Sequence, residues 1–564
     1  MTEYLPPEWL TGVGNPFTLT ARDVSSRSGP WACPARIAHE AREKTGAVRL
    51  VSDTRWRKRW DNSEQLFFAL RDGYAALVDG ASPADAAAIN ANLTVPQRRF
   101  VTHAMHELLD LPDLIAASAG TPMTYQFGSS EFSRSGWGLV KLTGPEFSSA
   151  DRSVYESVRL AYTPLRDPDA DHTRDFAAVA ARVLISDHAE RTLIRVSEFS
   201  LADGGYHVLF DGTPTQAQEL YDSRNDTDGR HLIVQALGGT ALNPGSACGG
   251  CPFLPVCPGP QRLPSALGID MAAATRGLSS TDLAVYDDCP TRFHAQRRSH
   301  LPTRHDDGGS GEDFTPRNRG IATHKFLKWA HSRTPHQTCS IDELPDPDLD
   351  PAGTAPLLAA ADIEPDAYRL ARPYLLGHVA HTDHAGHCLV GYGGFENIRV
   401  EPRHVVYDEY ADVVLSVEPD LTLQTAPGSH IWRETKTRNA LPPQDERAAL
   451  EAYPAFAVHV AMLAAGAGGN GRDSGAAELE VLTPDPTDSR LFVINIADGE
   501  LVAHAQKLVA GVLLRWSQDM TFAPKPSGAC DRCPMHGWCD PPQDRPPTQR
   551  EPDDAEFLGL PDPF

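Results

Sequence analysis

The cysteines constrain this 564-residue chain more than any other feature. Six of the ten fall in two copies of the pattern C-x2-C-x5-C, "CGGCPFLPVC" with Cys248, Cys251 and Cys257, and "CDRCPMHGWC" with Cys530, Cys533 and Cys539. Each triplet has a single Cys-Pro far upstream, Cys33 in "CPAR" and Cys289 in "CPTR". One remote thiol plus a tight triplet, twice, requires distant parts of each half to meet. Four thiolates suit either a tetrahedral zinc or an iron-sulfur cluster, because soft sulfur favours both. Zinc ribbons use two local knuckles, so a remote cysteine joined to a triplet points toward 4Fe-4S, with zinc left open. Cys339 and Cys388 have no such company and read as bystanders.

The length allows two to four domains, since single cores stop growing beyond roughly 250–300 residues. Hydrophobic residues make up 41% and charged residues 22%, the balance of a soluble globular protein of mixed α and β structure. No run approaches the ~20 apolar residues that span a bilayer, so no membrane association is expected. The opening "MTEYLPPEWL" lacks the basic and apolar regions of a signal peptide, so the expected location is cytoplasmic. There thiols stay reduced, and clustered cysteines imply metal binding or catalysis rather than disulfides. A net charge of -24 excludes a general basic coat for nucleic acid. Any such contact must be local, in a channel, or shared with a more basic partner.

Between Cys289 and Cys530 the residue pattern alternates helices and strands. "PRNRGIATHKFLKWAHSR" has helical spacing and carries His324 on its early turns; "YDEYADVVLSVEPDLTLQ" is strand-like and contains Asp420. "HIWRETKTRNALPP" is a second strand-like run, and its Glu434 and Lys436, two residues apart, share a face. An acid and a lysine on one face, with an aspartate across a hairpin, form a compact site for a hard divalent cation. An ordinary surface charge pair is the bland alternative for E-x-K alone. A helix, "DERAALEAYPAFAVHVAML", follows and contains Tyr453.

In this order the motifs resemble the iron-sulfur branch of the PD-(D/E)XK nucleases, the group with RecB-type and AddB-type exonuclease domains and the CRISPR-adaptation exonucleases. The resemblance covers roughly residues 278–540: "SSTDLAVYDDCPTRF" resembles the first-cysteine motif, "RGIATH" the helix with the metal-proximal histidine, "EPD" the aspartate motif and "ETK" the E-x-K. It implies a metal-dependent deoxyribonuclease, acting as an exonuclease or on DNA ends and single strands in repair, recombination or antiviral (anti-phage) defence. Asp420 and Glu434 would ligate Mg2+ or Mn2+, His324 would add a ligand, and Lys436 would orient or activate the attacking water. Tyr453 sits where the family has its helix tyrosine, but Ala449 replaces the glutamine usual four residues earlier. Cys289, Cys530, Cys533 and Cys539 would hold a 4Fe-4S cluster that staples the core shut.

The first half reads as an eroded copy with its own four-cysteine cluster of Cys33, Cys248, Cys251 and Cys257. "GPEFSSADRSVYESVRLAYTPLR" aligns on "EPDLTLQTAPGSHIWRETKTRNA", placing Glu146 on Asp420, Leu160 on Glu434 and Tyr162 on Lys436. "RRFVTHAMHELL" places His103 on His324, and "RVLISDHAERTLIRVSEFSLADG" resembles "EVLTPDPTDSRLFVINIADGE". The expected fold is α/β: two tandem PD-(D/E)XK restriction-endonuclease-like domains, each a central mixed sheet flanked by helices and closed by four cysteines. The degenerate copy occupies 1–265 and grips DNA or a partner, the active domain occupies 270–540, and 541–564 is an acidic, Pro-rich disordered tail. Residues 305–316, "HDDGGSGEDFTP", read as a flexible loop able to gate the site. DNA is the expected partner, together with a helicase or other motor, because the chain has no Walker A motif. The tail's terminal acidic Pro-Phe resembles the tip of bacterial single-strand DNA-binding proteins, a further partner-binding candidate. A non-catalytic iron-sulfur DNA-binding scaffold, as a subunit of a helicase-nuclease complex, and a zinc-stabilised interaction protein are the competing readings.

Overall fold

The computed structural model describes residues 17–21, 23, 33–43, 62–89, 93–133, 138–165, 167–187, 191–226, 232–237, 241–264, 266–268, 277–303, 315–379, 386–390, 395, 397–426, 429–467, 474–519, 521–526, 530 and 533–539, the side chains of 17, 42–43, 62–64, 127–139, 187, 225–226, 234–235, 246, 315, 426 and 517 excepted. The acidic loop expected at 305–316 lies almost wholly, and the tail wholly, outside them.

In the first half, strand β1 (Phe17–Thr20) is followed by helices α1 (Pro34–Glu43), α2 (Asn62–Val78), α3 (Pro83–Ala88) and α4 (Val95–Ala119). Strands β2 (Met123–Ser133), β3 (Gly138–Ser149) and β4 (Val154–Ala161) come next, then α5 (Asp171–Asp187), β5 (Leu193–Ser200), β6 (Tyr206–Gly212), α6 (Pro214–Asp226) and α7 (Leu232–Leu237). Helix α4 starts where the Gln97 side chain accepts the Thr94 N–H at 3.0 Å and stops at Gly120, whose φ of 67° ends the helix at no side-chain cost.

The second half runs through β7 (Gln261–Arg262), β8 (Gly277–Ser279), α8 (Ser280–Asp288), α9 (Pro290–Phe293), α10 (Thr315–Ser332), α11 (Pro351–Ala361) and α12 (Pro365–His378). Strands β9 (Asn397–Val400), β10 (His404–Asp408), β11 (Val413–Val417), β12 (Leu421–Ala426) and β13 (Ser429–Thr437) lead to α13 (Glu446–Ala452), α14 (Pro454–Ala464), β14 (Gly475–Leu482), β15 (Arg490–Asn495) and α15 (Gly499–Gln518). Helix α14, "PAFAVHVAMLA", is apolar almost all round and is buried from Ala455 to Leu463, as such a composition requires.

Both halves contain the same run of pairings. In the first, β2 to β3 and β3 to β4 are antiparallel, β4 to β5 is parallel across α5, and β5 to β6 is antiparallel. In the second, β9 to β12 and β12 to β13 are antiparallel, β13 to β14 is parallel across α13 and α14, and β14 to β15 is antiparallel. A long helix precedes each set, α4 and α10. A third sheet, in the order β7-β10-β11-β8, lies alongside.

The cysteine triplets pack across the midpoint of the sequence. Leu254, inside the first triplet, is buried against Tyr407 and Val414 of the third sheet, and β7 pairs with β10 in that sheet. Trp538, inside the second triplet, is buried against Phe100 of α4 with ring centroids 5.4 Å apart, donates its Nε1–H to the Pro302 carbonyl at 2.6 Å and shares a core with Met535 and Leu108. Each triplet therefore caps apolar surface belonging to the other half. No described helix is long and apolar enough to cross a membrane.

Candidate active site

Strand β13 is the spine of the site. Its alternation puts Trp432, Glu434 and Lys436 on one face and Arg433 and Thr435 on the other. Strand β12 pairs with it antiparallel through Leu421 and Arg433, so Asp420, one step before β12, comes to Glu434. Asp420 is fixed there from two sides: its Oδ2 accepts the Thr435 N–H at 2.6 Å, and its Oδ1 lies 3.0 Å from His324 Nδ1 on α10. Lys436 Nζ donates to Glu434 Oε1 at 2.8 Å. The structure thus brings His324, Asp420, Glu434 and Lys436 together.

Their charges interlock. Desolvation disfavours the imidazolium of His324, but the adjacent Asp420 carboxylate outweighs it and raises the pKa. Desolvation likewise pushes Asp420 up, yet His324, Lys436 and the Thr435 N–H together hold it below the ordinary carboxylate range. Two carboxylates fixed at the end of a hairpin, with an imidazole beside them, are the hard oxygen-rich donor set that Mg2+ or Mn2+ takes. A narrow cleft of about 10 Å³, room for a single water, runs past His324, Asp420 and Thr435 to His331 and Arg433.

His459 is a site residue that sequence reasoning missed. It is the one polar side chain in the apolar stretch of α14, 1% exposed, and its Nδ1 lies 4.0 Å from Glu434 Oε2. Burial lowers its pKa, with Glu434 opposing. A lone histidine in "PAFAVHVAMLA" was the available signal. Tyr453, 6% exposed, joins α13 to α14 and shares a core with Trp432 of β13, with its N–H bonded to the Ala449 carbonyl at 3.0 Å. Ala449 is itself fully buried there, so the small residue serves packing.

Cys248, Cys257 and Cys33 lie within electrostatic reach of one another, as do Cys248 and Cys251. Gly245 and Gly259 donate backbone N–H groups to the sulfurs of Cys248 and Cys257 at 3.5 and 3.4 Å. In the second set Cys533 interacts with Cys289 and Cys539; burial pushes its thiol up to about 11, with Arg292 pulling the other way. The Cys533 N–H reaches the Cys530 carbonyl at 3.1 Å. In each set the remote thiol therefore comes within electrostatic reach of members of its triplet.

In the first half a salt bridge on the β4–β5 pair locates the matching positions. Arg159 pairs in register with Glu198 and bonds it at 2.9 Å; Arg433 pairs in register with Glu478 and bonds it at 2.8 Å. The residue after each arginine is Leu160 in one half and Glu434 in the other. Glu146 stands opposite Ser157 and accepts the Tyr155 hydroxyl; four residues separate β3 from β4 but only two separate β12 from β13, so the longer turn shifts Glu146 away from the Asp420 position in the gap-free alignment. The likeness drawn between 182–204 and 480–500 sets β5 against β15, whereas by pairing β5 corresponds to β14. His103 bonds the Ala202 carbonyl at 2.8 Å and lies 3.6 Å from Glu107.

Cys339 and Cys388 do have company in the fold. They are buried with His331 and His378, and the four donor atoms lie within 4.8 Å of one another. No curated protein matches the chain. Residues 277–540, from β8 through the second cysteine triplet, match the model of the PD-(D/E)XK nuclease superfamily.

Proposed function

We propose that the second half is a metal-dependent deoxyribonuclease built on Asp420, Glu434, Lys436 and His324. The observation that carries this reading is the convergence of those four side chains on the hairpin of β12 and β13, within the stretch that matches the nuclease superfamily. When bound, a hard divalent cation supplies a nucleophilic hydroxide near neutral pH and neutralises charge on the scissile phosphate. Asp420 and Glu434 hold that charge in place, the Thr435 N–H and His324 fix the Asp420 carboxylate, and His459 limits the freedom of Glu434 from behind. Lys436 places a positive charge where the phosphate gains negative charge, and exchanges its bond to Glu434 for one to the substrate.

The first half, in this reading, is a degenerate copy. The matching run of strand pairings supports a common origin, and Leu160 beside Arg159–Glu198 supports the loss of its chemistry. It serves as a platform for DNA or a partner motor, which an acidic chain of net charge -24 needs. Cys33 with Cys248, Cys251 and Cys257, and Cys289 with Cys530, Cys533 and Cys539, would each hold a 4Fe-4S cluster that staples a remote helix to its triplet. Cleavage of single-stranded, blunt and overhanging DNA with Mg2+ or Mn2+, beside Lys436→Ala, tests the reading. Wild type should cut and Lys436→Ala should lose at least 100-fold in rate; activity surviving the substitution, or none in wild type with its clusters intact, would refute it.

A further inference from the structure

Beyond the nuclease site, the second half contains a closed set of four donors that neither cleavage nor the cysteine triplets use. His331 ends α10, His378 ends α12, and each is followed in the chain by one cysteine, Cys339 and Cys388. All four are buried, and both sulfurs sit in an apolar cluster with Phe326, Leu327 and Leu375. Unligated polar donors are costly in such a place.

Their spacing is that of ligands around one ion. A tetrahedral zinc with bonds of about 2.05 Å to nitrogen and 2.3 Å to sulfur separates its two nitrogens by about 3.3 Å and nitrogen from sulfur by about 3.6 Å. His331 Nε2 and His378 Nε2 are 3.2 Å apart, and Cys388 Sγ is 3.7 Å from His331 Nε2. The surroundings match as well. His378 Nδ1 lies 2.8 Å from Glu480 Oε1, which fixes the ring so that Nε2 faces the other donors, the carboxylate-histidine arrangement of metal sites. Glu480, fully buried on β14, also accepts the Thr435 hydroxyl at 3.0 Å and lies 3.1 Å from His387 Nδ1. The Cys339 N–H points at Cys388 Sγ at 3.5 Å, as amides do toward thiolates.

We propose that His331, Cys339, His378 and Cys388 hold a structural zinc ion that clamps the ends of α10 and α12 to the back of the catalytic hairpin. Two imidazoles and two thiolates select zinc over Mg2+ or Ca2+, and four protein ligands leave no open position for chemistry. The ion is coupled to the candidate active site through a short chain of contacts: His378 to Glu480, Glu480 to Thr435, and the Thr435 N–H to Asp420. Glu480 is then a positioning residue for both.

The test uses the full-length chain purified without chelator. Elemental analysis should find about one zinc per chain, and zinc-edge X-ray absorption should resolve two nitrogen and two sulfur neighbours. Cys388→Ser and His331→Gln should each remove that zinc while leaving iron unchanged, whereas Cys289→Ser should leave it in place. Glu480→Gln should retain the ion but release it to a chelator 10–100-fold more readily. Should the ligand variants fail to fold, the wild-type absorption spectrum still decides. A zinc-free wild type, an all-sulfur zinc shell, or a Cys339–Cys388 disulfide in a non-reduced peptide map would each overturn the proposal.

Discussion

Replacing Arg433 with methionine tests how the second half is held together behind its candidate site. The guanidinium is 1% exposed and bonds Glu478 through Nε at 2.8 Å, with Nη2 2.6 Å from the same carboxylate oxygen, while Nη1 donates to the His387 carbonyl at 2.6 Å. Methionine fills much of the volume but strands the Glu478 carboxylate, whose side chain is 6% exposed, and a main-chain carbonyl. Breaking one side of a buried pair costs about 3–5 kcal/mol, because the remaining charge stays desolvated. For a unit of this size each kcal/mol moves the melting temperature by about 2–4 °C, so a loss on the order of 10 °C is expected. Differential scanning calorimetry at fixed metal content measures it. The double substitution Arg433→Met, Glu478→Leu should recover more than half of the loss, since an apolar pair needs no desolvated charge. A single variant within 1 kcal/mol of wild type, or a double variant as unstable as the two singles summed, would refute the reasoning.

The other expectations follow from packing and titration. Trp538→Ala removes a fully buried ring from the contact with Phe100 and should cost about 3–5 kcal/mol, with faster limited proteolysis after the second triplet as the readout. A Cβ at Gly377 would lie 2.8 Å from Ser489 Cβ, so Gly377→Ala should push α12 off the β14–β15 connection and cost about 1–3 kcal/mol in thermal denaturation. His294 is 1% exposed, and burial drives its pKa from 6.5 to about 4. The unfolded chain binds that proton first, so stability is full above pH 6.5 and falls by about 3 kcal/mol as the pH drops to 4. His294→Gln should flatten that limb of the stability-pH curve, and an unchanged slope would count against it.

The part of the site written in local pattern was legible in the sequence. Glu434 and Lys436 share a face because strands alternate, and Asp420 reaches Glu434 because a hairpin returns antiparallel; both follow from spacing. The approach of Cys33 to Cys248 and of Cys289 to Cys533 follows the repeated triplet spacing in the same way. His459 and the His331, Cys339, His378, Cys388 group were not legible, because their meeting depends on where α10, α12 and α14 pack. Each histidine ends or interrupts an ordinary helix, and each cysteine follows in an irregular connection whose path no periodicity sets. The register of the first half was hidden by a longer turn: a gap-free alignment carries Glu146 past its place, and the in-register Arg159–Glu198 and Arg433–Glu478 pairs restore it.

The crossed docking of the triplets bears on how far the two halves depend on each other. Trp538 needs Phe100 and α4 to leave water, and Leu254 needs Tyr407 and Val414. Each triplet's remote partner lies in its own half, in Cys33 or Cys289, so ordering one set of thiols orders an apolar cap on the other half. Burying a tryptophan and a leucine in this way contributes on the order of 2–3 kcal/mol for each side chain. A first half that lost its triplet would expose the third sheet, and a second half that lost its triplet would expose α4. Leu160 itself packs against the core that holds Phe100 and Trp538, so replacing Leu254, Phe100 or Trp538 is expected to disturb surface on both sides. Purified with Cys33→Ser, the chain should therefore show faster proteolysis around β10 and β11 of the second half; protection equal to wild type there would show that the halves stand independently.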